Sequence, residues 1–197
     1  MFKLGITGGI GAGKSTAVKY FSQKGAFVFD ADVEGKNHLK NSISLQQRLI
    51  KTFGNEITSK KHKIDFHKLA NIAFSDSINQ KILNGIVWPE IYLIMSKSMN
   101  KQLKKGCKLF IVDAALMFES KFNSLFDHIL LVTADKNIRI DRVLNRGNVS
   151  LDQINKRIAL QMPETEKEKL ADYTIVNNGE IDDFYQQLDL YFNQLNI

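Results

Sequence analysis

The chain has 197 residues, 44% of them hydrophobic, which is ordinary for a globular domain and enough for one sizeable core. No apolar run reaches membrane-spanning length, nothing at the amino terminus reads as a signal peptide, and the lone Cys107 excludes an internal disulfide. The net charge of +6 is gathered partly at Lys60-Lys61-His62-Lys63 and at Lys101, Lys104, Lys105 and Lys108, without a nucleic-acid-binding signature or interleaved aromatic residues. A solvated surface or a small anionic substrate accounts for it, and the expectation is a cytoplasmic protein acting without nucleic acid or membrane.

Phe2 to Thr7 is consistent with a buried strand, and Ser15 to Gln23 reads as a helix with Ala17, Val18, Tyr20 and Phe21 on its apolar side. Between them, Gly8-Gly9-Ile10-Gly11-Ala12-Gly13-Lys14-Ser15-Thr16 fits the phosphate-loop pattern G-x-x-x-x-G-K-[ST] at every required position. Glycines at Gly8, Gly9, Gly11 and Gly13 let the backbone turn its N–H groups toward one anion, and the helix start at Ser15 and Thr16 adds its dipole. Ala12 and Lys14 complete the candidate set; Lys14 would reach the β- and γ-phosphates and the Ser15 hydroxyl would help hold Mg²⁺. A plain strand-to-helix connector is the competing reading.

Ala26 to Phe29 reads as a second strand that stops at Asp30-Ala31-Asp32, where ligands gather in open α/β sheets. Asp32 is the better candidate for a general base, although either aspartate could instead cap the next helix. From Val33 to Lys105 the pattern is mostly helical: Ser44 to Phe53, a segment after Asp65, Ser77 to Val87, and Pro89 to Lys104 opened by its proline. So long an excursion predicts an inserted helical lobe, over about 33–106, holding a phosphate acceptor.

Leu109 to Val112 returns as a buried strand closed by Asp113, the arrangement in which a carboxylate holds Mg²⁺. His128 to Thr133 is a fourth strand, and Asp135 caps a helix carrying Arg139, Arg142 and Arg146 on one face. That stripe is either an exposed surface or part of a lid, over about 136–165, whose arginines, Arg142 and Arg146 above all, neutralise charge in phosphoryl transfer. Ser150 opens a helix through Gln161 with capping-box spacing, Pro163 ends it, and a charged segment from Glu164 to Lys169 follows. Tyr173 to Val176 is the fifth strand, Asn177-Asn178-Gly179 a turn at the ligand-facing edge that makes Asn178 a nucleotide-binding candidate, and Ile181 to Leu195 a last helix. Strands alternating with helices predict an α/β layered fold. A GTPase switch is disfavoured, because Asp113-Ala114-Ala115-Leu116 lacks the glycine of D-x-x-G and no Asn-Lys-x-Asp guanine reader is present.

Several stretches together resemble the dephospho-CoA kinase family of P-loop kinases. They are Leu4 to Thr16 with its Thr-Gly-Gly-Ile-Gly run, Asp30-Ala31-Asp32, Leu116-Met117-Phe118-Glu119, Arg142 to Gly147, Arg157 to Gln161, and Ala171-Asp172-Tyr173 to Asn177-Asn178-Gly179. The resemblance implies a P-loop NTPase-type three-layer fold with five parallel strands, an inserted substrate lobe and a lid closing over ATP. It implies transfer of phosphate from ATP, with Mg²⁺, to the ribose 3′-hydroxyl of dephospho-CoA by a monomer or weak homo-oligomer. Lys14, Asp32, Arg142 and Arg146 are the implied catalytic set, with Ser15 and Asp113 at the metal. The chain departs from the family pattern at Glu34-Gly35-Lys36 in place of Ile-Ala-Arg, at Trp88 in place of histidine before Pro89, and at Ala115 in place of proline.

Overall fold

Five parallel strands carry the architecture of the computed structural model, which describes residues 1–60, 63–147 and 149–197. Lys61 and His62 of the basic run lie outside the described residues. The chain divides into two compact units, one formed by Met1–Asp30 with Met99–Ile197 and the other by Ala31–Ser98.

In the first unit, β1 (Phe2–Thr7), β2 (Phe27–Asp30), β3 (Leu109–Asp113), β4 (His128–Thr133) and β5 (Tyr173–Val176) stand in the order β2-β3-β1-β4-β5. A parallel sheet is covered on both faces, so its strands read as continuous apolar runs rather than alternating ones. That is the case for Leu109-Phe110-Ile111-Val112, all buried together with Asp113. Helices α1 (Lys14–Gln23) and α9 (Ile181–Gln194) pack over one part of the core, where Ala17, Phe21, Leu188 and Tyr191 join Leu4, Ile6 and Ile111. At their edge the Tyr20 hydroxyl and Lys24 Nζ both donate to Asp189 Oδ1, the latter at 3.1 Å. Those bonds hold the Asp189 carboxyl below its usual range, while burial raises that of Tyr20.

The second unit is helical. It holds α2 (Ala31–Asn41), α3 (Ile43–Phe53), α4 (Phe66–Ala73) and the amino-terminal part of α5 (Ser77–Lys104) around a small core of Leu45, Leu49, Ile57, Ile64, Leu69 and Ala73. Three of these helix starts have a side-chain cap: Ser42 Oγ accepts from Leu45 N at 3.3 Å, Asp65 Oδ1 from His67 N at 3.0 Å, and Asp76 Oδ1 from Ile78 N at 2.8 Å. Glu90 on α5 binds His38 of α2 at 3.2 Å and Arg48 of α3 at 2.7 Å, fastening three helices through one carboxylate.

One expectation is corrected. The helices expected at Ser77–Val87 and Pro89–Lys104 are one continuous helix, α5, with Pro89 inside it. Proline removes one donor and crowds the carbonyl four residues back, here that of Gly85. Both Gly85 and Pro89 are exposed, so water can take the freed carbonyl and the helix continues. The charged segment after Pro163 is itself a helix, α8 (Glu164–Leu170), with Glu164 and Glu166 in its first turn and Lys167 and Lys169 in its last. Helices α6 (Lys136–Asn145) and α7 (Leu151–Ala159) fall where the sequence placed them, α7 opened by the reciprocal Ser150–Gln153 capping box. Among the described residues, no helix is long and apolar enough to cross a membrane.

Candidate active site

The central strand β1 lies between β3 and β4, and the chain leaves it first toward β2 on one side and later, through β4, toward the other. Its carboxyl end is therefore the switch point of the sheet, where open α/β folds bind ligands. Gly8 to Gly13 emerge there. Gly11 (φ 81°) and Gly13 (φ 107°) occupy the left-handed region, which a side chain would make costly. Gly13 is the N-cap of α1, and its carbonyl accepts from Thr16 N at 2.9 Å and Ala17 N at 3.2 Å. The loop thus delivers the amino end of α1, with unpaired N–H groups and a positive dipole end, to the sheet's ligand edge.

Lys14 is the first residue of α1, and its Nζ forms an ion pair with Asp113 Oδ1 at the end of β3. Asp113 is buried, aligned with Ile6 of β1 on one side and with Asp30 of β2 on the other. Ser15, one residue further along, is exposed. A hydroxyl and a carboxylate are hard oxygen donors suited to Mg²⁺, which keeps several waters and takes its remaining ligands from phosphates. The donor set fits that ion, and among the described residues no cluster of three or more His, Cys, Asp or Glu offers a dedicated cage.

The far edge of the loop is held by a residue the sequence reading passed over. Asn177, directly after β5, is buried; its Nδ2 donates to Ala12 O at 2.8 Å, its N–H to Thr133 O at 2.8 Å, and its carbonyl accepts from Arg142 Nη1 at 2.9 Å. Asn178, the residue singled out, accepts from Asp135 N at 2.8 Å and so fixes the start of α6. The three arginines of α6 do not share one environment. Arg139 is buried, Arg142 is half-buried against Asn177, and Arg146 is exposed at the helix end. Glu119 Oε1 accepts from Met162 N at 2.6 Å and ties the segment after β3 to the residue before Pro163.

Asn177→Ala leaves the Ala12 carbonyl without its buried donor, and the expected loss of folding stability is about 1–3 kcal/mol. Urea unfolding with and without an ATP analogue checks it, and because the bond anchors the phosphate loop, the analogue should also bind more weakly.

A sequence model for dephospho-CoA kinase (CoaE) matches residues 2–183. The chain belongs to the dephospho-CoA kinase family. It is 35% identical over 190 residues to the dephospho-CoA kinase of Fusobacterium nucleatum, covering 95% of each chain. Among solved structures it is similar to TT1252 from Thermus thermophilus, with 29% identity, a TM-score of 0.82, and coverage of 98% of this chain and 97% of that one. The dephospho-CoA kinase from Campylobacter jejuni is also similar, with 26% identity, a TM-score of 0.69, and coverage of 98% and 96%. The fold is that of the P-loop kinases.

Within this family member, Asp32 lies inside the first turn of α2 and is exposed, while Asp30 is the last residue of β2, directly before the helix. Asp30 thus precedes the helix and Asp32 rides on its positive end. Of the departures from the family pattern, Lys36 is exposed on α2, Trp88 is half-buried on α5, and Ala115 is half-buried just past β3. Gly35 is buried with the Ile91 side chain 2.9 Å from where its Cβ would stand, so glycine there lets α2 approach α5 closely.

Proposed function

We propose that this protein transfers the γ-phosphoryl group of ATP to the ribose 3′-hydroxyl of dephospho-CoA, giving coenzyme A and ADP. The observation that carries the reading is a family match over residues 2–183 in a chain whose phosphate loop is intact at every required position. The amides of Gly8 to Thr16 and the Lys14 ammonium hold the β- and γ-phosphates, and Lys14 leaves Asp113 to do so. Ser15 and Asp113 would hold Mg²⁺, which would supply positive charge against the transferring oxygens. Asn178 and Asn177 border the nucleotide.

The helical unit Ala31–Ser98 binds the acceptor, and Asp32 accepts the proton of the attacking hydroxyl. Helices α6 and α7 act as the lid, and Arg142 and Arg146 bring guanidinium groups to the equatorial oxygens as it closes. Arg142 releases the Asn177 carbonyl to do this. In-line attack then leaves ADP on the loop and the phosphate ester on the ribose.

Incubating the purified protein with ATP, Mg²⁺ and a panel of acceptors, with products read by mass spectrometry, tests the assignment. Dephospho-CoA should gain one phosphate faster than adenosine, pantetheine phosphate or shikimate. Preferential phosphorylation of another acceptor would redirect the substrate reading to Lys36 and Trp88, and ADP formation without any phosphorylated acceptor would end it.

A further inference from the structure

Beside the phosphate loop lies a group of buried charges that the transfer reaction, as described, does not use. Arg139 is only 5% exposed and Lys167 is fully buried. Both point at one carboxylate: Glu164 Oε1 is 3.3 Å from Arg139 Nη1 and 3.4 Å from Lys167 Nζ, and Glu164 Oε2 accepts from Thr133 Oγ1 at 3.0 Å. One anion thus serves two cations, and Arg139 Nε has no hydrogen-bond partner among the described residues.

The group is packed onto the loop itself. A Cβ on Gly9 would run into Arg139 Nη1 and stand 2.7 Å from Glu164 Oε1, and a Cβ on Gly11 would run into the Arg139 carbonyl. Glycine at these places is what lets the guanidinium, its carboxylate and the α6 backbone come so near. The connections around the cluster are short: α6 begins right after β4, and the Pro163 carbonyl accepts from Lys167 N at 3.1 Å in the first turn of α8.

We propose that Arg139 and Glu164 are positioning residues that set the loop's affinity for nucleotide phosphate, and that they act in opposite directions. Charges buried this close to an anion site are poorly screened, so each changes the potential felt by an incoming triphosphate. Arg139 adds attraction and Glu164 moderates it. The inference rests on the loop being the ATP site.

Opposite signs separate this from a packing role, because loosening the loop would weaken binding whichever residue was changed. Calorimetric titration of a non-hydrolysable ATP analogue with Mg²⁺ into the full-length protein reads the difference. R139Q should weaken binding about tenfold, and E164Q should tighten it by up to about tenfold, the scale of one poorly screened charge near a multiply charged ligand. E164Q should at the same time lower the unfolding midpoint of the ligand-free protein, since two buried cations lose their counter-ion. The double variant R139Q/E164Q should return to within about threefold of wild type if the charges add independently of packing. In steady state, KM for ATP should move and kcat should change less.

Weakening in both single variants, or no change in either, would overturn the proposal. Should R139Q not fold, E164Q alone decides by its sign: tighter binding supports it and weaker binding overturns it. A wild-type protein that failed to bind the analogue at all would instead remove the ATP assignment on which the inference rests.

Discussion

Replacing Lys14 by alanine is expected to remove nearly all phosphoryl transfer, a fall in kcat of at least about 10²- to 10³-fold, the scale for deleting one donor aimed at developing charge. The residue stands where α1 begins, at the switch point of the sheet, and its ammonium reaches the Asp113 carboxylate when no phosphate competes for it. Two effects of the substitution act together. On the proposed mechanism the cation offsetting charge on the γ-phosphoryl oxygens would be gone, and Asp113 would lose its ion pair with Lys14. ATP affinity should therefore fall as well as kcat. Initial rates of coenzyme A formation, with thermal melts to verify folding, provide the check; turnover within tenfold of wild type would contradict the phosphate-loop assignment.

The elements most readable in the sequence were those set by short-range rules. A glycine-rich loop needing positive φ at Gly11 and Gly13, apolar strands closed by Asp30 and Asp113, and the Asp65 and Ser150 caps all announce themselves within a few residues. What escaped depends on distant partners. Pro89 is a stop signal locally, yet α5 runs through it because the face that loses a hydrogen bond is wet. Glu164 to Lys169 reads only as a charged segment until the burial of Lys167 is known. The three arginines of α6 are equivalent in spacing, but Arg139 meets Glu164 and the loop, Arg142 meets a carbonyl beyond β5, and Arg146 meets water. Asn177 and Asn178 differ in the same way: neighbouring and identical, one braces the loop and the other starts α6. Nothing within either group marks which is which, since the distinction is made by partners distant in the chain.

Asp32→Asn carries the other large expected effect, a fall in kcat of about 10²- to 10⁴-fold, the usual contribution of a positioned general base. The substitution keeps size and leaves one carbonyl oxygen to accept a hydrogen bond, but an amide cannot take up the hydroxyl proton as the new ester forms. The competing role for an acid at this place is electrostatic: Asp32 and Glu34 both lie in the first turn of α2, where negative charge favours the helix dipole by about 0.3–1 kcal/mol. That role predicts a slight drop in unfolding free energy and no loss of rate. The base predicts a large loss of rate, with stability changed by no more than about 1 kcal/mol in either case, so the rate decides. Asp30→Ala is the internal comparison, because Asp30 directly precedes α2 and its loss should act on the start of that helix rather than on proton transfer. KM for ATP should stay within about twofold in Asp32→Asn, since no part of the phosphate loop is touched. A variant that kept wild-type kcat while melting slightly earlier would assign Asp32 to the helix and leave the attacking hydroxyl without its proton acceptor in this chain.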